Sequence, residues 1–176
     1  MMLPEYAQSL YERFEQEGIP LLLAGGWAVS HHGYGRFTRD IDWVCSRSNE
    51  ARALALMESL GFSITFESMA TRFQLKDILS FPPIDLLWVS PETFQKMAAT
   101  AQKTGLRKDI SVVDLEALLA MKLHAVKDND ERHGKDLLDI RELLDRNKGA
   151  ISEERLQELC EKFAGPAAYD LVRMKP

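Results

Sequence analysis

Asp40-Ile41-Asp42 stands at the head of the apolar run Trp43-Val44-Cys45, and it constrains the fold more than any other segment of the chain. Successive side chains of a strand point to opposite faces, so the two carboxylates share one face with Cα atoms about 6.5–7 Å apart. Like charges so placed repel, and burying either one without a partner is expensive. The pair must therefore sit at a solvated strand end or share a cation. A Mg²⁺ ion, which takes hard oxygen ligands and few protein ones, would meet the second condition.

Two further segments bear on that choice. Asp85 interrupts the apolar run Ile84 to Val89, which reads as another strand after the break at Pro82-Pro83. If that strand lies beside the Asp40 strand, a third carboxylate reaches the same place; otherwise Asp85 is a strand-end aspartate bonded to backbone. Upstream, Ile19 to Ala24 reads as a short buried strand running into Gly25-Gly26, with a short helix from Trp27 to His32. Glycines permit close backbone approach to a phosphate, and a helix start offers unpaired N–H groups; a tight turn explains the same residues. There is neither the Gly-Lys-Ser/Thr of a P-loop nor the third spaced glycine of a dinucleotide site.

The remaining pattern predicts one mixed α/β (α+β) unit. Helices are expected over Pro4 to Glu17, over a segment carrying Ala53, Leu56, Met57 and Leu60 with Asn49 as N-cap, and over 91–102, 114–127, 134–147 and 152–163. Strands are expected over Asp40 to Cys45, Ser63 to Phe66, Arg72 to Leu79 and Ile84 to Val89. The expected organisation is a core over residues 1–90, a short mixed sheet flanked by helices, and a mostly helical part over 91–176 packed on it as one structural unit.

Composition narrows the function. Lys plus Arg number 22 against 27 for Asp plus Glu, a net charge of -5 with no overall basic excess, so any polyanionic partner must be held by a local basic patch or through bound cations. Lys96, Lys103, Arg107 and Lys108 form a local basic stretch that is either a rim for RNA or a solvated helix and loop. Cys45 and Cys160 match no metal or disulfide spacing. No apolar run reaches the roughly 18 residues of a membrane span, and the N-terminus lacks a signal pattern, so a cytoplasmic location without membrane contact is expected.

Gly25-Gly26-Trp27-Ala28, followed by Arg36-Phe37-Thr38-Arg39-Asp40-Ile41-Asp42, resembles the DNA polymerase beta-type nucleotidyltransferase superfamily. The similarity is closest to its small bacterial branch, which includes abortive-infection type II toxins of toxin–antitoxin pairs and antibiotic nucleotidyltransferases. It extends through Asp85 to Lys122 and the Lys135-Asp136-x-x-Asp139 segment. The resemblance implies a metal-dependent transfer of a nucleoside monophosphate from a nucleoside triphosphate to a hydroxyl, with release of pyrophosphate. Asp40, Asp42 and Asp85 would be the catalytic residues and hold two Mg²⁺ (or Mn²⁺) ions. Gly25, Gly26, Arg39 and Lys122 would meet the nucleotide. The acceptor would be RNA such as tRNA, a protein, or a small molecule, and an antitoxin partner would accompany a toxin. A catalytically silent binding module of the same fold is the alternative from another class.

Lys122 lies among Leu115, Leu118, Leu119, Met121 and Leu123, so its ammonium either faces a cleft or snorkels to solvent. Asp136 and Asp139 share a helix face at i, i+3; they either form a solvated or ion-paired helix face or anchor Lys122 or an arginine. Gly26 stands where many superfamily members carry Ser, so phosphate contact there would rest on backbone N–H groups.

Overall fold

Three consecutive leucines form β1 (Leu21–Leu23), and all three are buried. Strands buried on both faces read as near-continuous apolar runs, and β2 (Ile41–Ser46) and β5 (Ile84–Val89) follow that pattern except for an aspartate at the second position of each. Alternating patterns give the outer strands β3 (Phe62–Glu67) and β4 (Ala70–Leu75). Two-residue strands β6 (Gln102–Lys103) and β7 (Ser111–Val112) complete a seven-stranded sheet in the order β3-β4-β5-β2-β1-β7-β6. The pairing is mixed: β2 runs parallel to β5 and β1 parallel to β7, while the other neighbours are antiparallel.

This computed structural model describes residues 3–67, 70–76, 78, 81–105, 109–128 and 133–174. The expected mixed α/β fold is present. Helix α1 (Glu5–Gln16) buries Ala7, Leu10, Tyr11 and Phe14, and Tyr11 stacks on Trp43 of β2 at 5.5 Å. Gly18, at φ +64°, ends the helix by donating its N–H to the Glu15 carbonyl. Helix α2 (Gly25–His31) begins two residues before the expected Trp27, and β2 starts one residue after Asp40. Asn49 precedes α3 (Glu50–Ser59) without a side-chain cap bond. Ser90 caps α4 (Pro91–Thr100) by accepting the Thr93 N–H at 3.2 Å. The expected end of the β4 strand at Leu79 lies outside the described residues.

Helices α5 (Leu115–Asp128), α6 (His133–Arg146), α7 (Glu153–Phe163) and α8 (Ala168–Arg173) follow. Ser152 caps α7 by accepting the Arg155 N–H, as its position predicts. No helix among the described residues is long and apolar enough to cross a membrane. The chain forms two compact units: Met1–Ala28 with Arg36–Asp114, and Val29–Gly35 with Leu115–Pro176. The first contains the whole sheet with α1, α3 and α4. The second is helical, with a core that includes Leu118, Leu119, Leu123, Ile140, Leu143, Leu159 and Cys160. Within it, Arg141 donates to the Leu171 carbonyl of α8 at 2.6 Å, and Asn147 donates to the His32 carbonyl at 2.9 Å.

Candidate active site

Strand register assembles the site. The parallel pairing of β2 and β5 sets Asp42 directly opposite Asp85, and the antiparallel pairing of β4 with β5 sets Arg72 opposite Asp85. Arg72, Asp85 and Asp42 thus form one row across three strands. Asp40 joins from the residue before β2, where Thr38 Oγ1 donates to its Oδ1 at 2.8 Å. One carboxylate oxygen from each of Asp40, Asp42 and Asp85 lies within 4.8 Å of the others. The third carboxylate therefore does reach the first two.

The glycines close the site from the β1 side. Ala24 donates its N–H to the Asp42 carbonyl at 2.9 Å, which brings the start of α2 against β2. A Cβ on Gly25 would lie 1.7 Å from Asp42 Oδ2, and Gly25 adopts φ +55°. Both conditions exclude a larger residue. A Cβ on Gly26 would lie 2.6 Å from Thr38 Oγ1 and 3.2 Å from Arg36 Nη1. Gly25-Gly26 is thus required to pack the first strand–helix junction onto the loop that carries Thr38 and Asp40.

Charge is partly balanced within the cluster. Arg72 Nε donates to Asp85 Oδ1 at 2.8 Å and Nη2 to Asp85 Oδ2 at 2.6 Å, a bidentate grip. The same Nη2 reaches Asp40 Oδ2 at 3.4 Å. The bond to Asp85 is the main reason the guanidinium is held above its ordinary proton affinity, and the charges of Asp85, Asp40 and Asp42 add to it against a desolvation penalty. Two carboxylates at such a separation repel by about 3 kcal/mol at an effective dielectric of roughly 20, less where solvent screens them. Arg72 thus offsets part of the charge that the three acids bring together. The donor set is entirely carboxylate oxygen, which suits Mg²⁺ or Mn²⁺ and not a thiolate- or imidazole-seeking metal.

Other residues singled out from the sequence fall as follows. Arg39 is exposed on the loop before β2, and Trp27 is half-buried on α2. Lys122, on α5, is buried: its Nζ lies 2.6 Å from Asp136 Oδ1 and 2.8 Å from Asp139 Oδ2, both on α6. Asp136 and Asp139 are accordingly buried ion-pair partners, not part of a solvated helix face, and the Lys122 head is not solvated. Arg107 and Lys108 lie outside the described residues, while Lys103 donates to the Asp109 carbonyl and Ser111 Oγ. Arg72 is the residue that sequence reasoning missed. Strand alternation puts it on one face with Gln74, and only the β4–β5 register reveals the acid across from it.

A mixed sheet that gathers three carboxylates beside a strand–glycine–helix junction defines the nucleotidyltransferase class. The chain matches, over residues 1–164, the model of a family described as uncharacterised nucleotidyltransferase, and it belongs to that family. Among solved structures it is similar to ANT(2")-Ia in complex with adenylyl-2"-tobramycin, at 18% identity and a TM-score of 0.65, covering 90% of this chain and 94% of that one. It is also similar to the lincosamide antibiotic adenylyltransferase LnuA, lincomycin-bound, at 18% identity and a TM-score of 0.58, covering 80% and 98%. A putative nucleotidyltransferase from Thermotoga maritima aligns at 16% identity and a TM-score of 0.56, covering 79% and 96%. These likenesses are of fold. No curated protein matches the sequence.

Proposed function

We propose that this nucleotidyltransferase moves a nucleoside monophosphate from a nucleoside triphosphate to a hydroxyl acceptor, releases pyrophosphate, and depends on Mg²⁺, or Mn²⁺ in its place. The observation that carries the reading is the convergence of Asp40, Asp42 and Asp85, with oxygens within 4.8 Å of one another, in a chain of this family. Those three side chains would hold two ions, which when bound would neutralise the triphosphate and align the attacking and leaving oxygens.

The protein's own groups do the rest. Asp85 takes the proton of the acceptor hydroxyl as that oxygen bonds to the α-phosphorus. The bond from the α-phosphorus to the oxygen bridging the β-phosphate then breaks, and pyrophosphate leaves with that electron pair. Gly25 and Gly26 carry no side chain that would hold the β and γ phosphates away from the backbone. Arg39, exposed beside Asp40, supplies positive charge to the same phosphates. Lys122 would serve a phosphate only by exchanging Asp136 or Asp139 for it.

Two acceptor classes follow from two observations. The resemblance to toxins points to a hydroxyl on RNA or protein, with an antitoxin as partner. The antibiotic adenylyltransferases that share the fold over most of both chains support a small-molecule hydroxyl instead. Incubating the protein and Mg²⁺ with each triphosphate labelled at the α-phosphate, against cell RNA, cell protein and a panel of aminoglycosides and lincosamides, separates them by where the label goes. Asp42→Ala abolishes the transfer. Transfer that survives that substitution overturns the mechanism. Absence of both transfer and Mg²⁺-dependent triphosphate binding would leave a silent binding module.

A further inference from the structure

Asp85 does not stand open: both of its oxygens are held by one guanidinium. We propose that Arg72 is the resident counter-cation of the carboxylate trio, and that a divalent ion fills the site by displacing it from Asp85 and Asp40. The arginine thereby sets the metal concentration at which the enzyme becomes competent. This inference rests on the metal-dependent reading above.

The geometry has three parts. First, Arg72 Nη2 stands 2.6 Å from Asp85 Oδ2 and 3.4 Å from Asp40 Oδ2, so a single nitrogen bridges two of the three proposed ligands. A cation coordinated by the same two carboxylates competes for the same lone pairs and is repelled by the guanidinium. Second, the pair is unequally exposed: 42% of the Arg72 side chain is accessible against 12% of the Asp85 side chain. The arginine reaches in from solvent and can return to it, whereas Asp85 is fixed in the sheet. Third, the backbone pairing Arg72↔Asp85 and Asp42↔Asp85 holds all three Cα positions, so the exchange needs only a side-chain rotation.

The reading has a physical rationale. Three carboxylates in one place destabilise the sheet when no ion is bound, and a guanidinium offsets that without forming a permanent structure. Arginine suits the task because its planar fork matches a carboxylate, and it remains charged throughout the working pH range. A purely structural ion pair would predict a different outcome. Removing Arg72 would then leave the carboxylates less well ordered and weaken their hold on a metal.

The test uses the whole chain with Mn²⁺ alone, without nucleotide, in calorimetric titrations of the parent, Arg72→Met and Arg72→Lys. Arg72→Met keeps an unbranched stem and loses the charge; it is expected to bind Mn²⁺ about tenfold more tightly, equivalent to about 1.4 kcal/mol. Arg72→Lys keeps the charge without the fork, and its affinity is expected to fall between the two. In thermal melts, Arg72→Met is expected to be less stable than the parent in chelator, with the difference shrinking at saturating Mn²⁺. Equal or weaker Mn²⁺ binding by Arg72→Met overturns the inference and makes Arg72 an ordering residue for Asp85. Should neither the parent nor the variants bind Mn²⁺, the metal-dependent reading itself fails. Arg72→Lys keeps the question decidable if Arg72→Met does not fold in chelator.

Discussion

In the sheet unit, Arg72 meets Asp85 and Asp40 with 42% of its side chain exposed; in the helical unit, Lys122 meets Asp136 and Asp139 with 7% exposed. Both clusters pair a cation with carboxylates, and the chemistry of the ions differs little. Their surroundings differ greatly. Asp136 and Asp139 retain 1% of their side-chain surface, on helices whose buried residues include Leu118, Leu119, Leu123, Ile140 and Leu143. There, separating the ions leaves bare charge in a dry interior, which is far costlier than in a wet cluster. The open cluster can exchange its cation and the sealed one cannot. Exposure, more than residue type, distinguishes a group of charges able to do chemistry from one that holds helices together.

The sharpest way to break that comparison is to remove one acid from the open cluster. Asp42→Ala should abolish detectable nucleotide transfer, a loss of about a hundredfold or more on the scale of a compromised metal site, while urea unfolding shows little change in stability. A large loss of stability would mean that the open cluster is structural after all. Lys122→Met should behave in the opposite sense. It takes the ammonium away from two buried carboxylates and is expected to cost about 3–5 kcal/mol in urea titration. Adding Asp136→Leu and Asp139→Leu to it should restore most of that stability, since an apolar trio can replace a buried ionic one.

A smaller effect is expected at the junction of the two glycines. Gly25→Ala combines a positive φ with a methyl pressed into Asp42, so a loss of about 1–3 kcal/mol should appear together with weaker Mn²⁺ binding. Gly18→Ala, also at positive φ but with nothing near its Cβ position, should lose stability without any change in Mn²⁺ binding. The smallest change concerns the two thiols, one in each unit. Burial pushes Cys45 up to about 12 and Cys160 up to about 11 from an ordinary value near 9.0. Both should resist alkylation at pH 8 in the native protein, and mass spectrometry of Lys122→Met should find Cys160 labelled before Cys45. The raised values also fix a sign. The stability tied to keeping these thiols neutral is intact below about pH 9 and declines as pH rises toward 11 and 12.

The acids were legible because strand alternation is a strict rule. In an extended segment Asp40 and Asp42 share a face, and Asp85 in an apolar run demands a partner or a strand end. Arg72 was not legible, because Ala70–Leu75 alternates like any solvent-facing strand and pairing register is a property of two segments at once. Lys122 stood out on its apolar helix, yet the burial of Asp136 and Asp139 did not, since His133–Arg146 is mostly polar by composition. The short strands Gln102–Lys103 and Ser111–Val112 offer two residues each, too few for any period to register. The early start of α2 at Gly25 went unread because glycine is a poor helix former, and only the tight approach to Asp42 explains its presence there.

The parallel pairing of β2 with β5 has a consequence for how the molecule comes into being. After Asp42 the chain must complete β2, build α3, turn through the β3–β4 hairpin and travel back to the same end before Asp85 arrives beside it. Such returns are slow, because the loop must be closed before the contact rewards it. The proposed metal site would therefore certify completion: a chain stalled with only its local helices and hairpin made would hold Asp85 apart from Asp40 and Asp42. In refolding experiments, competence to bind Mn²⁺ should appear with the slowest structural phase and never ahead of it.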